Sequence, residues 1–146
     1  MADAVVRATL QGTPSSGVIA GGGVFDMWKV FTAEAVASTA TVDSLAPGAG
    51  RGFRLDQFHY FGLHIIATSA SGTADVDVQI VQSYDDTAAN YVVPATGGTM
   101  ASSVSDEVAH VYSVAPVPMP YLRFRVVGVN ANPADTVVTA YAWFQT

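Results

Sequence analysis

Apolar and polar positions alternate along most of this chain with the two-residue period of a pleated strand. The cleanest run is "SGTADVDVQIVQS", where Val76, Val78 and Ile80 fall on one side and Asp75, Asp77 and Gln79 on the other. "YLRFRVVGV" repeats the pattern, with Leu122, Phe124 and Val126 set against Arg123 and Arg125. "TVVTAYAWFQ" carries it almost to the C-terminus, and "VFDMWKVFTA" and "VAHVYSVAPVP" read as further strands. In "FRLDQFHYFGLHIIATSA", Phe61, Leu63 and Ile65 share one face, and Phe58, Tyr60, His64 and Ile66 the other. Both faces are largely apolar, which predicts a central strand covered on two sides, or one bent at Gly62.

Turn-forming residues punctuate these runs. "GTPSSGVIAGGG", "APGAGRG", "YDDTAAN" and "NANPAD" read as turns, "ATGGTMASSVSDE" as a loop, and "YVVP" as a short strand. Asn130, Asn132 and Pro133 are expected to close a final antiparallel hairpin between the last two strands. The one weak helix candidate, "FTAEAVASTA", lacks caps and is rich in Thr and Val, so strand or loop is expected there. About eight strands at regular spacing predict an all-β, single-domain antiparallel sandwich, jelly-roll or Greek-key-like. Residues 1–23, with little periodicity and three glycines at Gly21 to Gly23, are expected to form an extended N-terminal arm. Residues 24–146 are expected to form the sandwich.

Composition supports this and narrows the function. Half of the 146 residues are apolar, only 12% are charged, and Lys29 is the only lysine. The formal net charge of −6 argues against nucleic-acid binding, which needs clustered Lys and Arg to displace counterions. So weakly charged a surface suits a protein covered by neighbours more than a freely diffusing monomer. With no cysteine, disulfides, thiol nucleophiles and Cys-ligated metals are excluded. "MADAVVRATLQG" has no long apolar core and no basic start, which predicts synthesis in the cytoplasm without a secretory leader. The longest apolar stretch is too short to span a bilayer, so no membrane partner is expected.

Candidate chemistry is sparse. His59 and His64 differ by an odd number and face opposite sides of an ideal strand, and His110 stands apart. Asp75, Asp77, Asp85 and Asp86 are the candidate ligands for calcium, although their spacing matches no EF-hand loop. Arg123 and Arg125 are expected to pair across strands with Asp75 and Asp77, or with a partner's acids. Tyr84, Tyr91, Tyr112, Tyr121, Tyr141 and Trp143 could build a stacking face, but packing in core and rim is the plainer expectation. No nucleophile elbow occurs, and neither an enzymatic activity nor a cofactor is expected.

Two stretches carry a resemblance. "VQIVQSYDDTAANYVV" resembles a strand–Asp turn–strand motif of small β-sandwich proteins in tailed phages. "PYLRFRVVGVNANPADTVVTAYAWFQ" is similar to the closing hairpin of the same broad group. The resemblance implies a virion structural protein, a capsid decoration or cement protein or a related accessory subunit. It implies self-association, as a homotrimer, and binding to the major capsid protein or another virion protein. The arm residues Val5, Val6, Arg7, Leu10 and Val18, with Arg51 and Arg54 at the rim, are then the expected partner contacts. The alternative is a carbohydrate- or surface-binding module assisted by calcium at the four aspartates.

Overall fold

The computed structural model describes residues 25–44, 52–55, 60–95, 98–105, 109–114, 119–129 and 131–145. These form β1 (Phe25–Ala35), β2 (Thr41–Asp43), β3 (Phe53–Arg54), β4 (Tyr60–Thr68), β5 (Asp75–Ser83), β6 (Thr99–Ser105), β7 (Ala109–Val114), β8 (Tyr121–Gly128) and β9 (Val137–Gln145). Among the described residues there is one 3-10 turn, at Ala88–Asn90, and no α-helix. The stretch considered as a weak helix is strand up to Ala35, as its branched residues favour.

One sheet runs β1-β9-β4-β7 and the other β2-β8-β5-β6, with β3 also paired to β8. β5 occupies one edge of β8 from Val76↔Gly128 to Ser83↔Tyr121. β2 and β3 therefore share the other edge, Asp43 opposite Arg125 and Phe53 opposite Leu122. They act as two parts of one interrupted edge strand, which leaves four strand positions in each sheet. Between them Ser44 holds the edge closed: its N–H donates to the Phe124 carbonyl at 2.7 Å, and its hydroxyl accepts from the Phe124 N–H at 2.9 Å. Only β5 to β6 is a hairpin within one sheet; the connections β1–β2, β3–β4, β4–β5, β6–β7, β7–β8 and β8–β9 cross between sheets. This wrapping is the jelly-roll form of the expected antiparallel sandwich. The expected arm, residues 1–23, lies outside the described residues.

Three local expectations change. β8 and β9 form no hairpin, because they belong to different sheets and the turn between them is a corner across the sandwich. Alternation and turn residues look the same in a hairpin and in such a corner. The stretch expected as a loop contains β6, a Ser- and Thr-rich edge strand with two register shifts against β5. The short strand at "YVVP" reduces to one bridge, Gln82↔Val92.

The core lies where the inward halves of the strands meet. Phe61, Leu63 and Ile65 of β4, Leu122, Phe124 and Val126 of β8, and Val138, Ala140, Ala142 and Phe144 of β9 are all buried. Val76, Val78 and Ile80 of β5 join them. Phe53, Phe61, Phe124 and Phe144 stack in tilted and edge-on pairs, the closest being Phe53–Phe144 at 4.9 Å between ring centroids. Each such ring contributes about 1.5–3 kcal/mol by burial alone. In β1 a register shift after Lys29 puts both Val30 and Phe31 inside, which explains why its alternation reads imperfectly.

Candidate functional site

β5 is the rail on which the acidic residues ride. Its burial alternates as expected at its start, with Asp75, Asp77 and Gln79 outward. Asp75 and Asp77 stand near one end of this nine-residue strand, and Asp85 and Asp86 follow its other end. A strand of that length spans roughly 26 Å, ten times a calcium–oxygen bond. The structure therefore does not bring the four aspartates together. Among the described residues no group of three His, Asp or Glu side chains could hold a metal ion.

At the far end Asp85 is spent on its own turn. Its carboxylate accepts from the Thr87 N–H at 3.0 Å, the Thr87 hydroxyl at 3.0 Å, the Asn90 amide at 2.9 Å and the Ser83 hydroxyl at 3.1 Å. The Thr87 N–H leads these contacts in holding the carboxyl below the usual carboxylate range. Asp86, at φ 60°, turns the other way. Its Oδ1 accepts from the Tyr91 hydroxyl and, at 2.9 Å, from the Gly52 N–H beside β3. The Arg123 guanidinium lies over the Tyr91 ring, 4.0 Å from its centroid. Burial first, and then the Asp86 hydrogen bond, raises the Tyr91 hydroxyl well above the ordinary tyrosine range. Gly52 is required by this approach: a Cβ there would lie 2.0 Å from the Tyr91 hydroxyl oxygen. The clamp fixes the connection after β5 across the outer face of its sheet. That connection carries three of the four large apolar residues left exposed among those described, Tyr84, Val92 and Val93.

The arginines also find other partners than expected. Arg125 makes a two-pronged ion pair with Asp43, directly opposite on β2, at 2.6 and 3.0 Å. Arg123 is only 8% exposed and stacks on Tyr91. Neither meets Asp75 or Asp77, because the register sets Gln79 opposite Arg125 and Val81 opposite Arg123. The expected pairing with Asp75 and Asp77 is therefore wrong for both arginines: Arg125 takes Asp43 from the other edge of β8, and Arg123 stacks on Tyr91.

At the near end of β5 the surface is concave. A cavity of about 410 Å³ is lined by Thr73, Ala74, Asp75, Ser103, Ser105 and Ala131. Asp75 and Ser105 are register partners, and the Ser103 N–H donates to Asp77 Oδ1 at 2.9 Å. Oδ1 of Asp75 is buried and has no hydrogen-bond partner among the described residues. Behind it, the Asp75 N–H donates to Asn132 Oδ1 at 2.8 Å, and the Val129 N–H donates to the Asp75 carbonyl at 3.0 Å. Sequence reading missed Ser103 and Ser105 because their segment reads as a loop. Asn132 was legible as a turn residue, but not as the buried link between β5 and the corner.

Of the expected partner contacts, Val5, Val6, Arg7, Leu10, Val18 and Arg51 lie outside the described residues, and Arg54 is exposed on β3. The aromatic residues do not share a face: Tyr91 is buried in the clamp, Tyr84 is on the exposed connection, and Tyr141 and Trp143 lie on the outer side of the β1-β9-β4-β7 sheet. His64 is half-buried on that side, while the side chains of His59 and His110 lie outside the description. Among the described residues no helix is long and apolar enough to cross a membrane. Comparison with known proteins adds no relative: no protein-family model matches the chain, and no curated protein sequence matches it.

Proposed function

We propose that this chain is a non-enzymatic virion structural protein of the capsid decoration or cement type. It self-associates as a trimer and covers seams between neighbouring shell subunits. The observation that supports this reading is the clamped connection after β5. Tyr91, Asp86, Gly52 and Arg123 hold it rigidly, and it presents Tyr84, 63% exposed, with Val92, 57% exposed. Apolar side chains held out on a fixed support favour association, since little ordering entropy remains to be lost on contact. In this reading residues 1–23 extend the contact as an arm, and covering a seam adds interface area that opposes lattice expansion.

The test is co-sedimentation of the purified chain with shells prepared without it. The full chain is expected to sediment with the shells. Deletion of residues 1–20 is expected to abolish this while leaving the sandwich folded by circular dichroism. Failure of the full chain to sediment contradicts the decoration role, and undiminished binding by the truncated chain removes the arm from it.

A further inference from the structure

We infer that the outer face of the β1-β9-β4-β7 sheet is the docking surface for residues 1–24 of a neighbouring copy of this chain. The inference rests on the self-association proposed above and names the surface that receives it. Its first support is the difference between the two outer faces. On the β2-β8-β5-β6 sheet the outward side is polar and partly covered. Arg125 is tied to Asp43, Asp77 accepts from the Ser103 N–H, and Tyr91 of the clamped connection lies against Arg123. On the β1-β9-β4-β7 sheet one outward row sets Met27 opposite Trp143, and the next sets Lys29, Tyr141 and His64 side by side. Ile66 follows, opposite Thr139. The alternate residues Leu63, Ile65, Ala140, Ala142 and Phe144 are buried, whereas Met27, Ile66, Tyr141 and Trp143 are half-buried and keep part of their surface accessible. An accessible apolar strip on a rigid sheet marks a surface for a partner.

The second support is where the chain joins this sheet. Residues 1–24 lead into β1, an outer strand of the sheet, and Phe25 pairs with Gln145 one outward row beyond Met27 and Trp143. The segment is therefore rooted beside the apolar strip. Fully extended it reaches up to roughly 80 Å. The face measures roughly 19 Å across its four strands and 30 Å along them. The segment is long enough to leave one sandwich and cross the face of the next. It carries Val5, Val6, Leu10, Val18 and Ile19, the apolar groups that such a strip can bury, and Gly21 to Gly23 permit a change of direction at its root. Exchange of an identical element between copies is a low-cost route to association. An exchanged segment ties each copy to the next without requiring two rigid sandwiches to fit each other, which suits the proposed trimer.

The experiment is cross-linking of the full chain, which has no cysteine of its own. Leu10→Cys and Ile66→Cys are placed in separate chains, mixed in equal amounts and treated with a short bismaleimide. Thr41→Cys, exposed on β2 of the other sheet, replaces Ile66→Cys as the control. The expected result is a chain-to-chain link between positions 10 and 66, mapped by mass spectrometry, and none above background to position 41. Adding Trp143→Ser to the Ile66→Cys chain is expected to lower the yield about fivefold or more. Tyr141→Ser provides a second reading should Trp143→Ser fail to fold by circular dichroism. An unchanged yield in the folded variant, no link at all, or an equal link to position 41 overturns the face. A link formed only within single chains that carry both cysteines overturns the exchange. A trimer without links contradicts this inference alone, whereas a monomer contradicts the self-association on which it rests.

Discussion

At the scale of single residues, polar side chains in this protein mostly hold backbone in place. Asp85 builds a turn, Asp43 fastens Arg125 across an edge, and Asp135 accepts from the Ser69 and Ser71 hydroxyls, each at 2.7 Å. The Tyr91 clamp gives the sharpest consequence. Its hydroxyl is kept protonated in the fold, so the stability it contributes is present in full below the unfolded-state value near 10. That contribution is lost as pH rises through the higher folded-state value. An absorbance titration of the phenolates is expected to show one tyrosine that ionises only together with unfolding. Tyr91→Phe should remove that component and lower stability by about 2 kcal/mol in denaturant melts. If all tyrosines ionise freely in the folded variant and parent alike, the clamp does not exist in solution.

At the scale of elements, the alternating runs made β5, β8 and β9 legible, because a one-residue slip would turn every apolar side chain of those strands to the wet side. β4 was legible as an inner strand, and it lies between β9 and β7, but its second face is not covered as expected: His64 and Ile66 are only half-buried on the outer side of the sheet. β6 was not, since two register shifts break its period and Ser102 and Ser103 look like loop. Sheet membership was not legible either. The corner between β8 and β9 depends on contacts far apart in sequence, chiefly those of buried Asn132. It accepts from the Asp75 N–H and the Thr136 hydroxyl and donates to the Val36 carbonyl, joining the corner to the starts of β5 and β9 and the end of β1. Asn132→Ala strands several buried groups at once and is expected to cost roughly 1–3 kcal/mol for each one left unpaired. Urea unfolding measures this; a change below about 0.5 kcal/mol would mean that the corner is held by apolar packing instead.

At the scale of the whole molecule, the two sheets close over one aromatic and aliphatic interior and leave function to outer surfaces with little charge. The concave surface beside Asp75 and the clamped Tyr84–Val92 surface stand at opposite ends of β5. Neither site was legible as a whole beforehand. Asp75 and Tyr84 were named as candidates, but the hydroxyls opposite Asp75 and the arginine beneath Tyr91 come together only through strand order. The proposed role requires the chain to associate with itself. Sedimentation equilibrium of the purified full chain at micromolar concentration is the most direct measurement of that claim. The account predicts a species of three times the 15.2 kDa chain mass, weakened when Tyr84 and Val92 are both replaced by serine. A single species of 15.2 kDa across the concentration range would contradict it.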